Sequence, residues 1–584
     1  MRFSSRLPKV LLACLGLLSG LTVPAQVPDS LARLFRYDAG RPLGLEVVSR
    51  QSRDRVTTQS ITYLNAAGRP VAALLVAPEG PGKYPAVVYQ HWGEGDKEEF
   101  RAEAQTLAAR GFVCLLVDAP WLGPGSPYTS RSEQFPQIVR EGVITARRGV
   151  DLLLSLPAVD TARVTFVGHS YGAGVGGILA GIEPRLKAFV LMTGAYSFSR
   201  MMEDTPDGYW QQLRDSIPET FREMVTAIRP YDVRNYISFS RRPIFQQFAR
   251  HDERIPLEMF HAFMGVSPPT AEFRFYEAGH ALNDHARRDR LDWLARWTQR
   301  PAPEADVAAL PGYGITFMPL VVPPPASGRV SARRDLEYAR QGDRPYRLDC
   351  YAPAGKGPAR RPAVILVHGV AHPALLAFAK DWEGYRGWGR LLAAEGFVAI
   401  VPNLGSPAAG PRPEQWYGNA QGPLTNLQEL VAYVQRNAAE LDVDPARLAV
   451  VAFSGGGNTG IGPALGDLPV PVRCVVGMYP VMDAVALQNT HPALGDDLLR
   501  VLSPARQLTA RGGKIPPLFL VKAQHDRPEL NGSIDAFARE AARLNAPVVL
   551  REVVDGHHGF DLLDDYAQTH RVIAETVAFL RQHL

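Results

Sequence analysis

The sequence predicts an α/β chain of two tandem domains, each built on a mainly parallel, doubly wound sheet with helices on both faces. Three observations carry this. The length, 584 residues, exceeds what a single hydrophobic core holds. Short apolar runs alternate with longer amphipathic stretches, the pattern of parallel strands joined by crossover helices. The second half also repeats the first: "YPAVVYQHWG" (84–93) recurs as "RPAVILVHGV" (361–370), "LAARGFVCLLV" (107–117) as "LAAEGFVAIVP" (392–402), and "VDTARVTFVGHS" (159–170) as "VDPARLAVVAFS" (443–454). Near-constant separations of 277, 285 and 284 residues across these three segments mean that a whole domain was duplicated.

In chain order, residues 1–25 read as a secretory signal peptide. Arg2, Arg6 and Lys9 precede a short apolar run, "VPA" (23–25) fits a small-residue cleavage site, and no stop-transfer pattern follows. "LLAC" (11–14) only loosely resembles a lipoprotein box, so anchoring through Cys14 is not favoured. No later segment is apolar enough to span a bilayer, and a periplasmic or secreted mature chain is expected.

The first domain, 26–300, has strand candidates near 85–91, 112–118, 163–168, 187–193, 243–249 and 271–276. Residues 195–240 interrupt the alternation with Met, Trp, Tyr and Phe mixed among charges, and read as a helical cap over a pocket at the strand ends. A Pro- and Ala-rich linker, 301–314, leads to the second domain, 315–584. Its strand candidates lie near 362–368, 397–402, 447–452, 472–479, 516–523 and 547–554. Its segment matching the cap, about 480–514, is shorter and predicts a more open site. Strands this continuously apolar are covered on both faces.

Composition narrows the function. The net charge of +4 is spread over interspersed acids and bases, with no basic block to bind a phosphate backbone, so nucleic acid is not an expected partner. Cys114, Cys350 and Cys474 remain after removal of residues 1–25. An odd number lying in apolar, strand-like runs predicts buried thiols rather than a disulfide framework.

The chemistry concentrates at two serines. In "GHSYG", Ser170 lies between a strand and a helix-like stretch, and so tight a turn needs the small residues Gly168 and Gly172 beside it. A nucleophilic serine needs a base, and the base needs an orienting carboxylate. Asp252 in "RHDERIP" and His280 in "EAGHALND" each follow a strand, so all three fall at one edge of the sheet. His251 and His285 are second choices as base. The second half supplies Ser454, Asp526 and His558 in the same order, with His557 as the competing base. Ser to Asp and Asp to His separations are 82 and 28 residues in the first half and 72 and 32 in the second. Ala452 replaces the leading glycine of the second turn. It adds one methyl, and with Gly456 retained the turn is expected to close.

An oxyanion formed at either serine needs hydrogen-bond donors. One candidate is the backbone N–H of the residue after each serine, Tyr171 or Gly455. The other lies in the loop after an earlier strand, Trp92 or Gly93 in the first half and Gly369 or Val370 in the second.

These motifs, "QHWGEGDK", "GFVCLLVDAPWLG", "GHSYGAG", "HDERIP" and "AGH" in the first half and "LVHGV", "EGFVAIVPN", "FSGGG", "QHDRPELN" and "GHHGFD" in the second, resemble the α/β-hydrolase superfamily. Within it they are most similar to dienelactone-hydrolase-like and acetylxylan-esterase-like serine hydrolases. The resemblance spans about 45–300 and 330–584. It implies an eight-stranded, mainly parallel sheet in each half, hydrolysis of carboxylic esters through an acyl-enzyme, a small-molecule ester as partner, and no metal or organic cofactor. Trp92 stands where a glycine is common, which narrows the acyl pocket. Serine replaces the cysteine of the dienelactone hydrolases proper, which disfavours lactone hydrolysis. An exopeptidase or amidase of the same fold, or one catalytic half joined to a non-catalytic binding half, stays open, and the oligomeric state is not set by the sequence.

Overall fold

Runs such as "VCLLV" have no polar face to offer water, so they are stable only inside a sheet covered on both sides. The computed structural model describes residues 26–122, 126–128, 134–205, 208–299, 305–326, 328–355, 357, 360–405, 419, 421–484 and 495–584. The residues read as a signal peptide lie outside these, as do 301–304 of the linker and 485–494 of the shortened cap segment. The described chain divides into two units between Ala309 and Leu310.

In the first unit β1 (Glu46–Arg53), β2 (Val56–Leu64), β3 (Pro70–Pro78), β4 (Tyr84–Gln90), β5 (Val113–Val117), β6 (Val159–His169), β7 (Phe189–Met192), β8 (Ile244–Ala249) and β9 (Ala271–Tyr276) are arranged in the order β1-β2-β3-β5-β4-β6-β7-β8-β9. β1, β2, β3 and β5 pair antiparallel in sequence, whereas β5, β4 and β6 to β9 pair in parallel. The second unit has β10 (Val330–Gln341), β11 (Arg344–Pro353), β12 (Arg361–Val367), β13 (Val398–Pro402), β14 (Val443–Phe453), β15 (Cys474–Met478), β16 (Leu518–Ala523) and β17 (Val548–Val553). They form an eight-stranded sheet in the order β10-β11-β13-β12-β14-β15-β16-β17, with β10, β11 and β13 antiparallel and the remaining pairs parallel.

Each of the expected apolar runs becomes a parallel strand. The N-terminal antiparallel strands were not among the expected ones, and β1 makes the first sheet longer than the eight strands implied by resemblance. For β1 and β10 the reason is exposure: every residue of β1 is exposed, and β10 is exposed over most of its length, whereas β2, β3 and β11 are largely buried and were not expected although β3 carries the apolar run "VAALLVAP". Neither β1 nor β10 carries the apolar run that marks an interior strand. Cys114, Cys350 and Cys474 are buried free thiols.

Strand order fixes where chemistry can occur. The chain crosses from β4 to β5 on one side and returns to β6 on the other, so the loops leaving β4 and β6 diverge at their carboxyl ends. The β12–β13–β14 arrangement repeats this. Residues 195–240 form helices Phe198–Asp204, Gly208–Ser216 and Pro218–Ile228, followed by three 3₁₀ turns ending at Phe239. Ser199 donates through N and Oγ to buried Asp232, at 2.9 and 2.7 Å. The Phe198 ring packs on Gly174 of the helix after Ser170, where a Cβ would stand 2.3 Å from Cζ. A buried ion pair, Arg290 Nε to Glu103 Oε2 at 2.9 Å, ties the helix after β4 to the helix that follows His280. Among the described residues no helix is long and apolar enough to cross a membrane.

Glycines at different places in this frame respond oppositely to a methyl group. Gly532 is exposed within helix Pro528–Arg543, with nothing within 4 Å of a Cβ. Gly532→Ala is expected to stabilise the second unit by about 0.5–1 kcal/mol and raise its thermal midpoint by about 2–4 °C. Gly172→Ala, whose Cβ would stand 2.1 Å from the Gln90 carbonyl oxygen, should lower the first unit's midpoint. Calorimetry of the two variants checks both signs.

Candidate active site

Both serines sit where a strand turns directly into helix. Ser170 follows β6 with φ 53° and ψ −107°, and Ser454 follows β14 with φ 52°. Such conformations cost about 1–3 kcal/mol and persist only where surrounding bonds impose them. The serine N–H groups are held by the next strand, Ser170 to Met192 O at 2.8 Å and Ser454 to Met478 O at 3.0 Å. In the first unit a Cβ at residue 168 would lie 2.2 Å from the Gly172 carbonyl oxygen, so glycine there is a steric requirement.

Ala452 is accommodated by re-winding the helix start rather than by simple closure. Ser170 O accepts from Gly174 N, four residues on, at 3.1 Å. Ser454 O accepts from Gly457 N, three residues on, and from Val481 N, both at 2.9 Å. A π turn over Gly457–Ile461 follows.

The strand ends bring the expected acids and bases together. His280 Nδ1 lies 3.0 and 2.9 Å from Asp252 Oδ1 and Oδ2, and both side chains are almost fully buried. Asp252 Oδ1 also accepts from Arg254 N and Ile255 N at 2.9 and 2.8 Å. The two carrying loops are joined, His251 N donating to Ala278 O at 3.0 Å and His280 N to Glu253 Oε2 at 3.1 Å. In the second unit Ser454 Oγ is 2.8 Å from His558 Nε2, and His558 Nδ1 is 2.6 Å from Asp526 Oδ2. His525 N donates to Gly556 O at 2.8 Å, joining the corresponding loops. A carboxylate facing Nδ1 fixes the proton there and leaves Nε2 to accept from the serine hydroxyl. The units differ at this last link: His280 Nε2 is buried with no partner among the described residues.

The competing histidines are placed elsewhere. His251 pairs through Nε2 with Glu277 and is exposed, His285 lies in helix Asp284–Gln299, and His557 Nδ1 is 2.7 Å from buried Asp564.

The loop donors separate within each pair of alternatives. The Trp92 N–H donates to Glu99 Oε2 at 2.9 Å, and the Gly369 N–H donates to the Tyr385 hydroxyl at 3.0 Å. Gly93 and Val370 are the other candidates in each pair. Gly369 stands beside the second serine, since a Cβ there would be 3.1 Å from Ser454 Cβ.

Residues 85–322 match the family described as alpha/beta hydrolase fold. These residues have the alpha/beta hydrolase fold. Among characterised relatives, 2,6-dihydropseudooxynicotine hydrolase of Paenarthrobacter nicotinovorans is 25% identical over 236 residues, 39% of this chain and 61% of that protein. Esterase FrsA of Citrobacter koseri is 34% identical over 127 residues, 21% of this chain and 28% of that protein. The chain thus spans less than two thirds of each of these relatives. Among solved structures, an acetyl xylan esterase from Paenibacillus sp. R4 superposes with a TM-score of 0.41 at 20% identity, covering 46% of this chain and 92% of that one.

Within this hydrolase fold, several supporting residues were not legible in the sequence. His169, just before Ser170, has Nδ1 2.6 Å from Glu99 Oε1 and Nε2 3.0 Å from the His280 carbonyl. The Trp92 ring lies 5.9 Å from His169 and 6.0 Å from His280, centroid to centroid, and the Arg254 guanidinium lies over the Trp92 ring at 4.8 Å. In the second unit Tyr479 is 4.7 Å from the His558 ring and donates to fully buried Asp561 at 2.7 Å. Trp388 Nε1 donates to the same carboxyl at 2.8 Å, and burial raises its pKa.

The histidine that directly follows β4 or β12 is held neutral. His91 Nε2 accepts from Ala119 N at 2.9 Å while Nδ1 faces Trp92 O at 2.6 Å. His368 does the same with Leu404 N at 3.2 Å and Gly369 O at 2.8 Å. Each ring thus has room for one proton, and burial lowers both pKa values below the ordinary 6.5. For a histidine with a lowered folded pKa, the stabilising contribution is complete above about pH 6.5 and is lost as the pH falls through that range. The thermal midpoint is expected to drop between about pH 7.5 and about pH 5, and to drop less in His368→Gln. Scanning calorimetry across that range measures the difference.

Proposed function

We propose that the chain is an exported serine hydrolase that cleaves carboxylic ester bonds at two sites. The domains run over 26–300 and 315–584, joined by the linker 301–314, with residues 195–240 capping the first site. The observation that carries this is the continuous Asp526–His558–Ser454 hydrogen-bond chain at 2.6 and 2.8 Å, matched by the Asp252–His280 pair at 2.9 Å in the first unit. The basic start and apolar run of residues 1–25 support export. The esterase and hydrolase names of the relatives support the reaction class.

Each site works in the same sequence. The serine Oγ attacks the ester carbonyl carbon as His558 or His280 Nε2 takes its proton, and Asp526 or Asp252 stabilises the resulting imidazolium through Nδ1–H. The carbonyl oxygen becomes an oxyanion facing the N–H groups of Val370 and Gly455, or of Gly93 and Tyr171. Collapse breaks the bond to the leaving alkoxide, which takes the proton from Nε2. Water, deprotonated by the same nitrogen, then releases the acid from the acyl-serine. A small-molecule ester is the substrate class, and the aromatic residue Trp92, where the second unit has Gly369, makes the first site the narrower of the two.

A fluorophosphonate probe is expected to label two serines per chain, with Ser170→Ala and Ser454→Ala each removing one. Mass spectrometry of labelled peptides counts them, and a single labelled serine in the parent chain would contradict the two-site reading. Each variant should retain part of the turnover of short p-nitrophenyl esters; unchanged turnover in both would defeat the assignment.

A further inference from the structure

In the first unit, the N–H of the residue after the loop histidine is consumed by a carboxylate: Trp92 N donates to Glu99 Oε2. A carboxylate only accepts, so this contact ends there and the Glu99 side chain turns its other oxygen to His169. The second unit replaces that acceptor with a phenol. Gly369 N donates to the Tyr385 hydroxyl at 3.0 Å, and a hydroxyl that accepts one hydrogen bond still has its own proton to give. Among the described residues the Tyr385 hydroxyl donates to nothing.

The position of that proton matters. Gly369 is the residue against Ser454, with a Cβ site 3.1 Å from Ser454 Cβ and 3.6 Å from Oγ. The Tyr385 ring is fixed from three sides, stacked on Trp382 at 5.6 Å, edge-on to Phe453 at 5.3 Å and near His368 at 6.4 Å. Phe453 immediately precedes the serine. Burial raises the phenol's pKa, so the hydroxyl stays protonated and remains a donor. A rigid, protonated donor with an unclaimed hydrogen, one hydrogen bond away from the residue that abuts the attacking serine, is what a developing oxyanion needs.

We propose that Tyr385 is a catalytic residue of the second site, donating its phenolic hydrogen to the oxyanion formed when Ser454 attacks an ester, alongside the N–H groups of Val370 and Gly455. This rests on Ser454 being a nucleophile. The first site has no counterpart, since Glu99 occupies the equivalent bond and has no hydrogen to offer.

The test uses Tyr385→Phe in the full chain, in a Ser170→Ala background so that only the second site is read. Removing one oxyanion donor typically lowers kcat by about 10²–10³-fold. A phenol whose hydroxyl also supports Gly369 should lose at least tenfold in kcat with KM for a short p-nitrophenyl ester little changed. The rate of fluorophosphonate labelling at Ser454 should fall in parallel, because the phosphyl oxygen occupies the same donors. A purely structural role would lower the thermal midpoint and raise KM without slowing kcat, and that result overturns the proposal. Unchanged kcat and labelling rate in Tyr385→Phe overturn it as well. If Ser454 is not labelled even with Tyr385 present, the underlying reading of the second site fails instead.

Discussion

The arrangement at both sites depends on holding one serine in a left-handed conformation at the end of an interior strand. Ser170 and Ser454 adopt φ values of 53° and 52° that a free chain would leave at once. What prevents it is the lateral bond from each serine N–H to the neighbouring strand, and the pressing of Gly172 and Gly456 onto the carbonyls at the ends of β4 and β12. A serine so placed projects from the sheet edge, and the loops leaving adjacent strands are obliged to surround it. The aspartate and histidine follow two and three strands farther out, where paired loops bond to each other before they bond to anything catalytic.

Around that common backbone the two units have diverged in how they brace it. Thr193 and Tyr479 occupy equivalent points after β7 and β15, with φ 42° and 41°. Thr193 donates to the His280 carbonyl, whereas Tyr479 lies against the His558 ring and reaches Asp561. The first unit braces its base from the strand before the serine, through Glu99 and His169. The second does so from beneath, through a buried carboxyl shared by a tyrosine and a tryptophan. The backbone was conserved by sterics while the side chains around it found separate solutions.

What the sequence made legible follows the same division. Apolar runs announced every parallel strand because burial on two faces forbids polar residues there, and the order of serine, acid and base followed from strand ends. β1 and β10 escaped notice because an edge strand facing water carries an ordinary surface sequence. Glu99 in a turn, Tyr385 on a helix and Asp561 in a single helical turn escaped because a lone acid or phenol has no pattern until the tertiary fold brings it to a partner. Ala452 was legible as a substitution, but its consequence was not. A one-methyl difference was absorbed by a change in helix type that no local propensity encodes.

That π turn also bears on how the halves can be exchanged. The serines are 284 residues apart, yet Thr193 and Tyr479, one strand later, are 286 apart. The second unit thus spends two more residues than the first between the serine and the end of the next strand. A chimera joined just after the serine would marry a helix start built for glycine at the preceding strand to a strand that ends in Ala452, and its carbonyl would strike the methyl. The exchangeable module therefore begins before residue 168 or 452, with strand end, serine and helix start inherited together.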